Sequence, residues 1–479
     1  MKTLITIILI GLCLAATAFA QAPDTAWTKL YHRTWDECYW VEETSDGGFA
    51  LLGISEAIDD NYEEIYLIKT DENGDTVWTH TYGDSIINQS GACVQEDYDG
   101  GFIIAGTKNL TTTSRNAYII KTNSVGDTIW SYLYGGSGGN ADAYCITIDS
   151  DSSYVIAGRV FVPGHFSDVF LLKLNRDGEL DWAHTYGDGA YQDGVCFDKA
   201  ADGGFMIAGQ GSVTGNSYDY YLVKTDDEGI IQWDANYGGY STDVCHSVKA
   251  TSDGGCILYG ESDSFIANCS WAVRVDSLGD TLWTKLYDRS NGDYGYSVDL
   301  TSDGGFIFGG YSNNPGYRDD FWFVKTDANG DTLWSTTVGH GDDQRGYCVI
   351  QTSDGGYVLV GESNEGSPTG GDFYVVRLNA EPTGIDDEPS IPSNFVLNQN
   401  YPNPFNASTE IKFSLSGQSP VRLTIHDVLG RRVETLLNET RNAGDHSVIW
   451  DAARYASGMY FARLTSADRT DEIKMLLMK

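Results

Sequence analysis

Positive charge is scarce in this chain. Thirty lysines and arginines stand against 68 aspartates and glutamates, a formal net charge of -38 over 479 residues. A surface of that sign repels phosphate backbones and anionic bilayers, which argues against nucleic acid and acidic membranes as partners and favours solubility outside the cell. Long apolar runs are equally scarce. The one from Leu4 to Ala16 is too short to span a bilayer, and no other follows. No segment carries the 3.6-residue apolar period, so helical solenoids are excluded. The common catalytic signatures are missing too: no Gly-x-Ser-x-Gly elbow, no His-Glu-x-x-His, no phosphate-binding glycine loop and no Cys-x-x-Cys.

What is present is the composition of a folded chain, 41% hydrophobic and 13% aromatic. Residues 1–20 read as a secretory signal peptide: Lys2 supplies the positive start, Leu4 to Ala16 the apolar run, and Ala18-Phe19-Ala20 the small-x-small cleavage site. Leu12 before Cys13 makes a poor lipoprotein site, so a cleaved, soluble product beginning near Gln21 is expected. Eight cysteines then remain. Cys93, Cys145, Cys196 and Cys348 each stand six residues before a recurring turn, a spacing that favours buried small side chains over disulfides.

Internal repetition is the strongest signal. Asp-Gly-Gly occurs at 46–48, 99–101, 202–204, 253–255, 303–305 and 354–356, with Asp151-Ser152-Ser153 in the gap. A tryptophan recurs at 27, 78, 130, 182, 233, 283 and 334. Both markers share a spacing of 50 to 53 residues. Each unit holds four runs of β-branched and aromatic residues separated by Asp/Asn/Gly turns. Four short strands repeated seven times predict an all-β fold, a seven-bladed β-propeller over 21–380. The seventh unit lacks its tryptophan strand, and an orphan one, Trp27 to Tyr31, stands at the N-terminus, so the two are expected to pair and close the ring. The repeated tryptophans are expected to be core.

Two connections per unit are tight and alike; the other two are longer and vary, as in Arg159 to Phe166 and Tyr311 to Arg318. The face carrying the variable loops is the expected binding surface. An aspartate stands nine to eleven residues before the turn in six units: Asp36, Asp142, Asp193, Asp243, Asp293 and Asp343. One reading is a ring at the channel mouth that takes a polar ligand or a calcium ion; the other is that each accepts hydrogen bonds within its own loop. The run Asp71 to Asp75 lacks the sixth-position glycine of a calcium loop and reads as a turn. His80 and His184 read as strand residues. No catalytic residue and no resident cofactor is expected.

The segment Thr70-Asp71-Glu72-Asn73-Gly74-Asp75-Thr76-Val77-Trp78 is similar to the Asp-box of sialidases and to the repeat of quinoprotein propellers. It departs from the Asp-box in spacing, and no arginine triad accompanies it. Residues 27–380 most resemble uncharacterised repeat propellers of secreted bacterial proteins. After a Pro/Asp/Glu/Gly-rich linker at 381–393, residues 394–479 alternate as in a small antiparallel sandwich. Asn400-Tyr401-Pro402-Asn403-Pro404-Phe405-Asn406, Ile425 to Arg431, Trp450-Asp451, Ser457 to Phe461 and Lys474 to Lys479 closely resemble the type A sorting domain of the type IX secretion system. The flagellar-hook-cap Ig-like domain is similar as well. The sorting resemblance implies passage through the periplasm, a partnership with the outer-membrane secretion machinery, and release or attachment at the cell surface. The expected function is a non-catalytic propeller binding a glycan or protein; a secreted polysaccharide hydrolase or lyase and a structural spacer are the alternatives.

Overall fold

Every regular element among the described residues is a β-strand. The computed structural model describes residues 21–381 except 57–61, 84–86, 112–113, 136–139, 165, 188–190, 213–216, 266–268, 289–291, 315–317 and 366–370. It also describes 396–477 except 398–399, 401–404, 416–418, 429, 442–443 and 467–468. The expected signal peptide and nearly all of the expected linker lie outside the described residues. The chain divides into two compact units, Met1–Glu381 and Pro382–Lys479.

Among the described residues of the first unit, seven four-stranded antiparallel sheets succeed one another. The first is built from Asp36–Glu43, Phe49–Glu56, Glu63–Thr70 and Thr76–Tyr82. Its first turn shows why Asp-Gly-Gly recurs. Gly47 sits at φ +82°, a region open to glycine without steric cost. Asp46 accepts the Gly48 N–H at 3.0 Å and the Lys69 ammonium at 2.9 Å. The same cation–aspartate pair recurs as Lys121–Asp99, Lys173–Asp151, Lys224–Asp202, Arg274–Asp253, Lys325–Asp303 and Arg377–Asp354. At the second tight turn, Asp71 Oδ1 accepts the N–H groups of Asn73 and Asp75 at 2.9 and 2.8 Å. That oxygen thus serves its own loop.

The seventh sheet takes its outer strand from the N-terminus. Thr25–Tyr31 pairs antiparallel with Asp372–Leu378, Tyr31 opposite Phe373. The contacts that join neighbouring sheets recur between the last sheet and the first. Ser45 donates its N–H and hydroxyl to Glu96 of the second sheet at 2.6 and 3.0 Å. Ser353 of the seventh donates both in the same way to Glu43 of the first, at 2.6 and 2.8 Å.

The repeated tryptophans pack between sheets, but only Trp334 is fully buried, at 1% exposure. Trp27, Trp78, Trp130, Trp182, Trp233 and Trp283 are half-buried. They lie on outer strands, where the rings of Trp27, Trp130, Trp182, Trp233 and Trp283 cross the glycine turn of the following sheet. A Cβ on Gly74 would fall 2.9 Å from Trp27, and one on Gly330 would fall 2.7 Å from Trp283. Edge-on contacts with Phe49, Phe102 and Phe306 complete the packing. The true core is the middle of each sheet: Phe49 to Ser55 is buried on both faces because a sheet stands on either side. The eight described cysteines are all buried and none forms a disulfide.

The second unit holds a three-stranded sheet, Val396–Leu397, Ser408–Leu415 and Gly444–Asp451, and a four-stranded one in the order Arg432–Arg441, Ser419–Asp427, Gly458–Ser466, Arg469–Leu477. Alternate residues of both sheets, among them Ile411, Phe413, Leu423, Ile425 and Leu464, share one core. Trp450 is buried in it and donates its indole N–H to Glu434 at 2.9 Å.

Candidate functional site: an axial aromatic cavity

The first strand of every sheet in the first unit carries a β-bulge at the same place. The register breaks between Cys38 and Trp40, Gly91 and Cys93, Ala143 and Cys145, Gly194 and Cys196, Cys245 and Ser247, Gly295 and Ser297, and Gly346 and Cys348. One residue per bulge is left without a partner opposite: Tyr39, Ala92, Tyr144, Val195, His246, Tyr296 and Tyr347. A bulge turns its extra side chain out of the ordinary alternation. All seven of these residues line one cavity of about 460 Å³. The first strands therefore converge on a common axis, and the bulges aim a set of mostly aromatic side chains at it.

Glycine opposite the bulge makes it possible. Gly53, Gly106, Gly158, Gly209, Gly260, Gly310 and Gly361 pair with the residue before each unpaired one. A Cβ on any of them would lie within 2.1 Å of a backbone oxygen of the bulged strand. These glycines are the sequence signal of the cavity, the fifth residue of every second strand.

The rings contact one another around the cavity. His246 stacks on Tyr296 at 4.6 Å between centroids, Tyr296 meets Tyr347 edge-on at 5.2 Å, and Tyr347 lies 5.7 Å from Tyr39. Acidic groups stand beside them. Tyr39 donates to Glu37, and Tyr347 donates to Glu362 at 2.9 Å. Burial, with repulsion from Glu362, pushes the Glu37 carboxyl up to about 7, and burial lifts both phenols above their ordinary range. Two arginines stand close by: the Arg159 guanidinium lies 5.8 Å from the centroid of the Tyr144 ring, and that of Arg345 lies 5.7 Å from Tyr311. Arg159 donates to Asp142 and Asp193 at 2.7 and 3.1 Å; Arg345 donates to Asp319 at 2.9 Å. A second hollow of about 280 Å³, lined by Arg115, Asp142 and Arg159, shares Ser90, Thr107 and Tyr144 with the axial cavity.

A further set of polar side chains from the first strands joins adjacent sheets. Glu42, Gln95, Asp198 and Asp299 each accept a backbone N–H of the next sheet, from Glu96, Ile148, Ala250 and Gln351. Lys249 pairs with Asp299 at 3.2 Å.

The six aspartates singled out by spacing do not share one register position. Asp36, Asp243 and Asp293 open their strands, Asp142 and Asp193 stand one residue further in, and Asp343 precedes its strand. Side chains alternate along a strand, so a shift of one residue sends the carboxylate to the opposite face. Asp142 and Asp193 meet at Arg159. Asp243 instead accepts from Ser264 and the Gly239 N–H at 2.8 and 2.9 Å. Asp343 accepts the Asp319 N–H at 3.3 Å, and Asp36 accepts those of Arg33 and Thr34 at 2.7 and 3.1 Å. The aromatic set passed unnoticed in the sequence because only five of its seven members are rings.

The family described as the Secretion system C-terminal sorting domain matches residues 399–479. The chain thus carries the sorting domain of the type IX secretion system, which assigns the protein to export and to the cell surface or outer membrane. No curated protein matches the chain in sequence. Among solved structures it is similar to PorZ, a bacterial surface component of the type-IX secretion system of Porphyromonas gingivalis, with 12% identity and a TM-score of 0.43 over 97% of this chain and 61% of that one. It therefore spans less than two thirds of PorZ. It is also similar to the polysaccharide lyase Uly1 (10%, 0.44, over 76% and 94%) and to the β-propeller domain of the Trilobed protease from Pyrococcus furiosus (9%, 0.41, over 72% and 94%). Among the described residues, no helix is long and apolar enough to cross a membrane.

Proposed function

We propose that the seven sheets are the blades of a closed seven-bladed β-propeller at 21–380, exported by its signal peptide and a C-terminal Ig-like sorting sandwich at 394–479, and that it is a non-catalytic glycan-binding module at the cell surface. The observation that carries this reading is the set of seven bulges aimed into one cavity. Aromatic faces backed by a few fixed polar groups are what the apolar faces and hydroxyls of a sugar chain require. Held by seven rigid sheets, they lose little conformational freedom on binding. The aspartates at the strand starts are read as the frame that holds Arg159 and the loops in place.

One observation favours a second reading, a polysaccharide hydrolase or lyase: the Glu37 carboxyl is held near about 7 beside Glu362 and two phenols, a value suited to proton transfer. A single experiment separates them. The purified protein is tested on glycan arrays and insoluble polysaccharides while new reducing and unsaturated ends are measured. Saturable binding without new ends, lost in Tyr296→Ala, supports the binding module. New ends, lost in Glu37→Gln, replace it with the enzyme. Silence on every glycan leaves the spacer.

A further inference from the structure

The join between the last sheet and the first gathers three metal-ligating side chains. His32 directly follows the strand Thr25–Tyr31, Asp372 opens that strand's partner Asp372–Leu378, and Asp36 opens the first strand of the first sheet. One ligand atom from each lies within 4.8 Å of the other two. His32 Nδ1 and Asp372 Oδ1 are 2.6 Å apart, and the Asp36 N–H donates to the Gly371 carbonyl at 2.8 Å, which holds the two aspartate backbones side by side.

Asp36 supplies an independent indication. Its residue is 0% exposed, and its two carboxylate oxygens are treated differently. Oδ2 accepts the backbone N–H groups of Arg33 and Thr34. Oδ1 is buried and has no hydrogen-bond partner. A buried carboxylate oxygen without a donor is rare, because removing it from water costs free energy that nothing returns. The neighbouring cation does not fill the gap: the Arg33 guanidinium is turned to Glu64 and Ser55, at 3.2 and 3.0 Å.

We propose that His32, Asp36 and Asp372 bind one divalent transition-metal ion of the zinc type, which clasps the seventh sheet to the first. An imidazole with two carboxylates, leaving a fourth position for water, is a zinc-like donor set; calcium and magnesium prefer oxygen throughout. Ligand atoms around a tetrahedral ion stand about 3.4 Å apart, so a small rotation of His32 completes the set. The His32 side chain is 55% exposed and Asp372 7%, which gives the ion a path in from solvent while two ligands stay fixed. The ion would supply Asp36 Oδ1 with its missing partner. It would also tie together two segments more than 300 residues apart in sequence.

The test uses the purified chain stripped with a chelator, then incubated with zinc and separated from free ion. The expected result is one zinc per chain, retained by His184→Ala but lost in His32→Ala and in Asp372→Asn. Zinc is expected to raise the thermal midpoint of the parent by several degrees and leave that of His32→Ala unmoved. His32 is exposed and its replacement keeps the fold, which circular dichroism checks. Failure of the parent to retain zinc overturns the proposal. So does equal retention by His32→Ala, or a midpoint shift that calcium produces and zinc does not.

Discussion

Gly209 faces the carbonyl oxygen of Asp193 so closely that a Cβ on it would lie 1.7 Å away. The oxygen belongs to the backbone of a buried strand and cannot withdraw. Gly209→Ala is therefore expected to destabilise the protein by about 3 kcal/mol or more, beyond the ordinary cost of overpacking. Urea unfolding of the variant checks this. A loss below the usual scatter for surface changes would remove the glycine's role in the bulge.

Ser152 stands where six other units have glycine, and it holds φ +66°. A non-glycine residue in that region costs about 1–2 kcal/mol, whereas glycine pays about 0.5–1 kcal/mol in chain entropy. Ser152→Gly should thus stabilise the protein by about 0.5 kcal/mol, read as a small rise in the urea midpoint.

The Tyr31 hydroxyl donates to the Gly74 carbonyl at 2.6 Å, from the seventh sheet to the first. Tyr287 makes the same bond to Gly330 between the fifth and sixth sheets, at 2.9 Å. Tyr31→Phe is expected to cost about 1 kcal/mol, close to the cost of Tyr287→Phe. Equal losses would mark the join as equivalent to any other. A neutral Tyr31→Phe beside a costly Tyr287→Phe would mean that the last and first sheets part there in solution.

Stability is expected to fall as pH rises through the neutral range. Burial pushes the Glu42 carboxyl from 4.5 up to about 8, as burial and Glu362 push Glu37 to about 7. Such groups hold a proton more tightly when folded. Their contribution is complete below about 4.5 and is lost as pH climbs through 7 and 8. The turn aspartates act in the opposite sense. Against burial, hydrogen bonds from Thr44, Lys69 and Gly48 hold Asp46 down to about 2, so its contribution is present above 3.8 and is lost as pH falls through about 2. Urea midpoints from about pH 5 to about pH 9 should decline in the parent and decline less in Glu42→Gln, which keeps an acceptor for the Glu96 N–H.

Much of the architecture was legible because turns are local. The hydrogen bond from the Gly48 N–H to Asp46 and the positive φ of Gly47 lie within three residues, so the repeat of such turns at 50 to 53 residues marks every sheet of the first unit. The strand Thr25–Tyr31 was legible as the missing fourth strand for the same reason. The six aspartates look alike when counted back from the turn, at nine to eleven residues, but side chains on a strand change face with every residue. Asp142 and Asp193 stand one strand position away from Asp36, Asp243 and Asp293, and alternation sends them elsewhere.

By itself the sequence determined the all-β repeat, the tight turns and the sorting domain, because each depends on residues that lie close together along the chain. The tertiary structure alone decided the aromatic cavity, the gathering of His32, Asp36 and Asp372, and the half-burial of six repeated tryptophans. Each of these depends on side chains from different sheets meeting in space. Tyr39 and Tyr347 are 308 residues apart in the chain, yet their rings stand 5.7 Å from each other. Only the packing of the last sheet on the first brings them there.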